Sequence, residues 1–203
     1  VHECAVGRDS KACGSVLRVD RDALPPVLNH YVTDPRRTVV LAFTDQSNTP
    51  SPLRDVVARI EGQEREKPTG ERTVIAPLAP EELLPREGSV LVLGGPEQRG
   101  PIQTMVAPHC GTRVTLTDAG LVIDGTSYEG PGMAVLLTCH RMDEPGSVVT
   151  LLYALSPQAV ARVARLLFFY GWNSVVVFKD GSVLSRFEWQ SERVVKEVRL
   201  GAS

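Results

Sequence analysis

The chain is expected to fold as an α/β domain: a mixed β-sheet flanked by helices, with a β-meander and a C-terminal β-hairpin. Three observations point there. The runs "TVVLAF", "SVLVLGG", "MAVLLTC" and "SVVTLLYAL" are continuously apolar and of strand length, the pattern of strands buried on both faces. A helix with signals at both ends lies at "SPQAVARVARLLFFYG". Between the second and third runs the pattern shortens to "RVTL", "LVID" and "TSYEG", separated by "TDAG" and "DG", which reads as a meander.

Taken in order, the first 35 residues carry little periodicity and run into the turn "TDPRR". A buried strand follows at 38–43, then a helix opened by Ser51 and Pro52, with Val56, Val57 and Ile60 as its apolar stripe and Gly62 as its stop. "QEREKPTGER" is charged and rich in helix breakers, so it reads as a linker or long loop. "TVIAPL" can be a strand and "PEELLPREG" a short helical turn. After "SVLVLGG", the stretch "PEQRGPIQTMVAP" suggests a broken helix, irregular at Pro101. In the clearest helix Ser156 is the N-cap, Pro157 the first helical residue and Gly171 the C-terminal stop, with Val160, Val163, Leu167 and Phe168 facing the core. "SVVVF" and "SVLSRF" flank Asp180-Gly181, a tight hairpin turn, and "SERVVKEVRL" closes the chain as an edge strand or helix. Two segments are expected: residues 1–70 with one β-loop-α unit, and 71–203 with the meander and hairpin, readable together as one continuous domain.

The length of 203 residues can bury one large core or two small ones, and 42% hydrophobic with 23% charged residues is ordinary for a globular protein. A net charge of -2 offers no electrostatic reason to expect nucleic acid or an anionic membrane as partner. No apolar run approaches the roughly 20 residues that span a bilayer. The chain starts at Val1 without a secretory core segment, so a processed form or a piece of a longer protein is expected. Cys4, Cys13, Cys110 and Cys139 are compatible with two disulfides in an exported protein and with free thiols in a cytosolic one.

Three places invite a functional reading. The turn Gly94-Gly95 with Glu97 and Gln98 is a ligand-crevice candidate, but Pro96 lacks an N–H, no lysine follows, and Glu97 opposes an anion. A strand-to-helix corner is the simpler account, and any ligand there would be neutral or cationic. His109, Cys110, Cys139 and His140 compose a Cys₂His₂ set of zinc-ligand types. Their spacing fits no local finger, and a Cys110–Cys139 disulfide or two buried thiols compete with it. Phe169, Tyr170 and Trp172 cluster at the end of the long helix, either as core and rim packing or as a contact surface for a neighbouring domain. Neither G-x-S-x-G nor H-E-x-x-H occurs, and Asp118, Asp124, Asp143 and Glu144 sit on turns or loops where solvated carboxylates are normal.

"VLVLGGPEQ", "YEGPGMAVLL" and "LLFFYGWNSVVVFKDGSVL" occur in an order that resembles a C-terminal accessory α/β domain of exported bacterial hydrolases, of the thermolysin-like zinc aminopeptidase and esterase type. The resemblance covers about residues 88–189. Where that pattern has asparagine after the glycine turn, Gln98 and Arg99 stand here; where it has proline and asparagine, Thr138, Cys139 and His140 stand. It implies a non-catalytic domain, secreted or periplasmic, whose partner is the neighbouring catalytic part that carries the zinc and the catalytic glutamate. The alternatives are a Cys/His metal-binding protein and a small-molecule enzyme using the crevice at Gly94-Gly95.

Overall fold

The computed structural model describes residues 21–41, 51–66, 73–75 and 84–189; Cys4, Cys13 and "SERVVKEVRL" lie outside them. The strands in chain order are β1 (Thr38–Leu41), β2 (Thr73–Ile75), β3 (Val90–Gly94), β4 (Val114–Leu116), β5 (Gly120–Ile123), β6 (Thr126–Glu129), β7 (Met133–His140), β8 (Val148–Ala154), β9 (Val175–Lys179) and β10 (Ser182–Phe187). The helices are α1 (Leu28–Thr33), α2 (Ser51–Glu66), α3 (Arg99–Cys110) and α4 (Pro157–Val163). Seven strands form one sheet in the order β10-β9-β7-β8-β3-β1-β2, and β4-β5-β6 form a separate antiparallel meander. β1 pairs in parallel with β2 and β3, and β3 with β8, whereas β7 is antiparallel to both of its neighbours and β10 to β9. The sheet is therefore mixed, as expected. The division at residue 70 does not separate two sheets, because Thr38 of β1 sits between Thr73 of β2 and Val90 of β3.

The continuous apolar runs are explained by a core on each face of the sheet. Val90 and Val92 point to one side, against Ile102, Met105 and Val106 of α3 and the meander's Leu121 and Ile123. Leu91 and Leu93 point to the other, against α1 (Leu28, Tyr31), α2 (Leu53, Val56) and α4 (Val160, Val163). Adjacent strands β1 and β3 thus send their following helices to opposite faces, the arrangement that opens a crevice at the C-terminal ends of open α/β sheets.

Several local expectations need correction. The helix that begins at Ser51 runs through Gly62 to Glu66. α1 forms where no periodicity was visible, a single short turn anchored by buried Leu28 and Tyr31. The region around Pro101 is a 3-10 turn (Pro96–Gln98) leading into a continuous α3; Pro101 falls in the first helical turn, where its missing N–H costs nothing. The long helix is cut short. Ser156 does cap α4, accepting the Ala159 N–H at 3.1 Å, but regular helix ends at Val163. Beyond it the chain closes i→i+3 turns, with Leu166 N–H donating to Val163 O and Phe169 N–H to Leu166 O, while Arg59 of α2 takes the Ala164 carbonyl. Gly171 is required for close approach, not for a helix stop: its carbonyl accepts Asn29 N–H, and a Cβ there would collide with the Asn29 amide. The turns Asp124-Gly125 and Asp180-Gly181 have the expected positive φ values, 46° with 80° and 53° with 84°.

At the end where the parallel strands begin, the buried carboxylate of Asp34 (2% exposed) joins three segments. It accepts Ser89 N–H and Ser89 Oγ–H, each at 2.8 Å, Ser147 Oγ–H at 3.4 Å, and Arg36 N–H at 2.9 Å as an Asx turn. Burial by itself would raise its pKa; the hydrogen bonds from Arg36 and Ser89 and the Arg36 charge outweigh that and hold it below the usual 3.8. The folded pKa is depressed, so its stabilisation is complete above the unfolded value and is lost as pH falls through the folded one. Asp34→Ala is expected to cost about 3 kcal/mol in urea unfolding at pH 7, because it leaves buried donors without an acceptor. The difference from wild type should shrink as titration proceeds below pH 3.8.

Candidate functional site

Two depressions lie at opposite ends of the sheet. The first, about 200 Å³, is the crevice expected beside Gly94 and Gly95, and Glu97 and Gln98 also line it. Two of its polar groups are already engaged. Gln98 N–H closes a turn on Gly95 O at 3.0 Å, and Ser156 Oγ–H donates to Pro131 O while capping α4. The walls are the apolar side chains of Leu53 and Val160. Gly95 is extended (φ −147°), and its place is set by the Ala154 carbonyl, 3.1 Å from where a Cβ would stand. The stretch acts as a strand-to-helix corner.

The second depression, about 430 Å³, lies where β7 ends and α3 terminates. It gathers residues far apart in sequence: Asp22, His109 to Arg113, Cys139 to Met142, and Trp189. The four zinc-ligand candidates are all here. Cys110 and Cys139, however, are joined in a disulfide with their Cα atoms 5.4 Å apart, which removes both thiolates from any ligand set. Among the described residues no group of three or more His, Cys, Asp or Glu side chains is placed to hold a metal ion. The Cys₂His₂ expectation is corrected by the bond between its two sulfurs.

The histidines flank this disulfide. The His109 side chain is 6% exposed, and Nδ1 accepts Met142 N–H at 3.2 Å, which places the neutral ring's proton on Nε2. Burial, with a smaller contribution from Arg141, holds its pKa below 6.5 against the opposing pull of Asp143. His140 bonds Leu24 O through Nε2 at 2.8 Å, and its Nδ1 lies 3.8 Å from Asp22.

The supporting charges escaped the sequence reading. Arg141 is 2% exposed and grips Asp143 with two hydrogen bonds of 2.9 and 2.6 Å, while its Nη1 donates to Gly88 O at 2.7 Å. Hydrogen bonding and charge from Arg141 keep Asp143 below the usual carboxylate range despite the opposing effect of burial. Glu144 pairs with Arg36 at 2.8 Å. Asp143 and Glu144 are thus structural ion-pair members, whereas Asp118, paired with Arg99, is solvated as expected. Trp189 donates Nε1–H to Thr138 O at 2.6 Å and carries the Arg113 guanidinium 4.0 Å above its ring; Arg113 is held in turn by Asp124. The one local signal was the Asp-Pro-Arg turn at Asp34; Arg113 and Trp189 had none.

Of the aromatic cluster, Phe169 (77% exposed) and Trp172 (73%) project outward, at the same end of the sheet. Tyr170 anchors them, edge-on to Phe169 at 5.1 Å and to the core residue Phe178 at 5.6 Å. Comparison with protein-family models, curated protein sequences and solved structures finds no match.

The disulfide spans 29 residues and ties the end of α3 to β7. A loop of that length implies a stabilisation of about 3–4 kcal/mol. Urea unfolding with and without a reductant should show a loss of that order, reproduced by the Cys110→Ala/Cys139→Ala variant.

Proposed function

We propose that the chain is a non-catalytic accessory domain of a larger, exported hydrolase of the peptidase or esterase type, which packs on the catalytic part or positions substrate for it. The observation that carries this reading is how His109 and His140 are held. Each hydrogen-bonds a backbone group, Met142 N–H and Leu24 O respectively, instead of a hydroxyl or thiol nucleophile. The buried disulfide supports an oxidising compartment. Phe169 and Trp172 support a protein contact, since large aromatics held out in solvent on an anchored turn are the residues that dominate interfaces. The resemblance over residues 88–189 supplies the class of parent.

The isolated chain should give no turnover of peptide and ester substrates; turnover abolished by His109→Ala would overturn the reading. A second measurement concerns the partner. The catalytic part encoded in frame with this chain should bind it in trans, and Phe169→Ser/Trp172→Ser should weaken that binding by at least about 30-fold, an aromatic hot spot being worth roughly 2 kcal/mol or more. A reading frame with no hydrolase would contradict the proposal.

A further inference from the structure

The cleft beside the disulfide has a chemistry of its own. Its charged groups are already matched: Arg113 with Asp124, Arg141 with Asp143, and Asp22 with Gly146 N–H. A charged ligand would have to break one of these pairs. One ring N–H of the cleft is left over. His109 Nδ1 is engaged by Met142 N–H, so Nε2 carries the ring proton, and it makes no hydrogen bond to any described residue. This donor belongs to a side chain more than nine-tenths buried in the cleft wall. The surroundings are soft and apolar: the Cys110–Cys139 disulfide, the Met142 thioether and the Trp189 indole. Sulfur atoms of this kind pack favourably on aromatic rings, at the ring edge in particular. The volume of about 430 Å³ lies within the 300–1,000 Å³ typical of small-ligand sites.

We infer that this cleft binds an uncharged aromatic side chain of a peptide, which packs against the disulfide and Met142 while a peptide carbonyl accepts the proton of His109 Nε2–H. A neutral ring suits the neutralised walls, and an amide carbonyl suits a ring N–H with no partner among the described residues. The inference deepens the proposed function, giving an accessory domain of a peptidase a means of holding substrate, and it rests on that reading only for its purpose.

The test is an NMR titration of the whole chain with N-acetyl-phenylalaninamide, with N-acetyl-argininamide and N-acetyl-aspartamide as charged controls. The expected result is saturable shifts at the Trp189 indole N–H, Met142 N–H and the His109 ring. Affinity should be on the order of millimolar for so small a probe, and at least tenfold weaker for either control. His109→Ala should weaken binding about fivefold. Thr112→Trp, a substitution on the exposed rim, should fill the cleft and abolish binding with the thermal midpoint retained. Absence of saturable shifts, shifts unchanged in Thr112→Trp, or shifts confined to Gly94–Gln98 would overturn the inference. Binding with no hydrolase in the parent frame would leave the cleft standing and remove the accessory role. A hydrolase parent without binding would remove the cleft alone.

Discussion

The end of the sheet that carries the cleft depends on one buried carboxylate. Asp34 follows α1, and it holds Ser89 before β3 and Ser147 before β8. Removing a carboxylate from water costs several kcal/mol unless donors replace the solvent, and here they do. Ser89 Oγ in turn accepts Val148 N–H at 3.1 Å, so the starts of β3 and β8 are fixed to each other as well as to Asp34. Gly88 completes the junction. Its φ of 79° and its contact with the Arg36 backbone exclude a side chain, and its carbonyl is the one that Arg141 grips. The Arg141–Asp143 pair, buried only at its guanidinium, is therefore oriented by the same junction that aligns the strands.

From there the consequence passes to the cleft. Arg141 follows His140 at the end of β7, and the loop it closes with Asp143 presents Met142 N–H to His109. The disulfide holds α3 against β7 at the same level, so His109 and Cys110 cannot swing away from the wall. Trp189 seals the remaining side through its bond to Thr138 O. The charged groups that line the cleft are paired, while the opposite end offers a smaller crevice where Gln98 N–H and the Ser156 hydroxyl serve the backbone. Phe169 and Trp172 leave two large aromatic side chains exposed.

The parts of the fold legible in sequence are those written locally. The run Val90 to Leu93 is unbroken because both faces of β3 are buried, and Asp124-Gly125 and Asp180-Gly181 specify their turns through residues that accept positive φ. Ser156 announced its cap because its hydroxyl can accept the Ala159 N–H. What stayed hidden is set by tertiary partners. Where α4 ends, Arg59 takes the Ala164 carbonyl, and Gly171 is a glycine because of Asn29. The candidate site was legible to a similar degree. His109, Cys110, Cys139 and His140, singled out in the sequence as zinc-ligand types, do come together, but as a disulfide flanked by two backbone-bonded imidazoles. Arg113, Arg141 and Trp189 had no motif, since an ion pair or a cation over a ring has no signature until the chain has folded.

The central claim is that recognition occurs at the disulfide-braced end of the sheet, and not at the crevice beside Gly94 and Gly95. Amide hydrogen exchange, with the catalytic part of the proposed parent hydrolase added to the chain, tests this directly. The account predicts new protection at Phe169–Asn173, with Gly94–Gln98 and Ala154–Pro157 unchanged. Protection confined to Gly94–Gln98 and Ala154–Pro157 would contradict it.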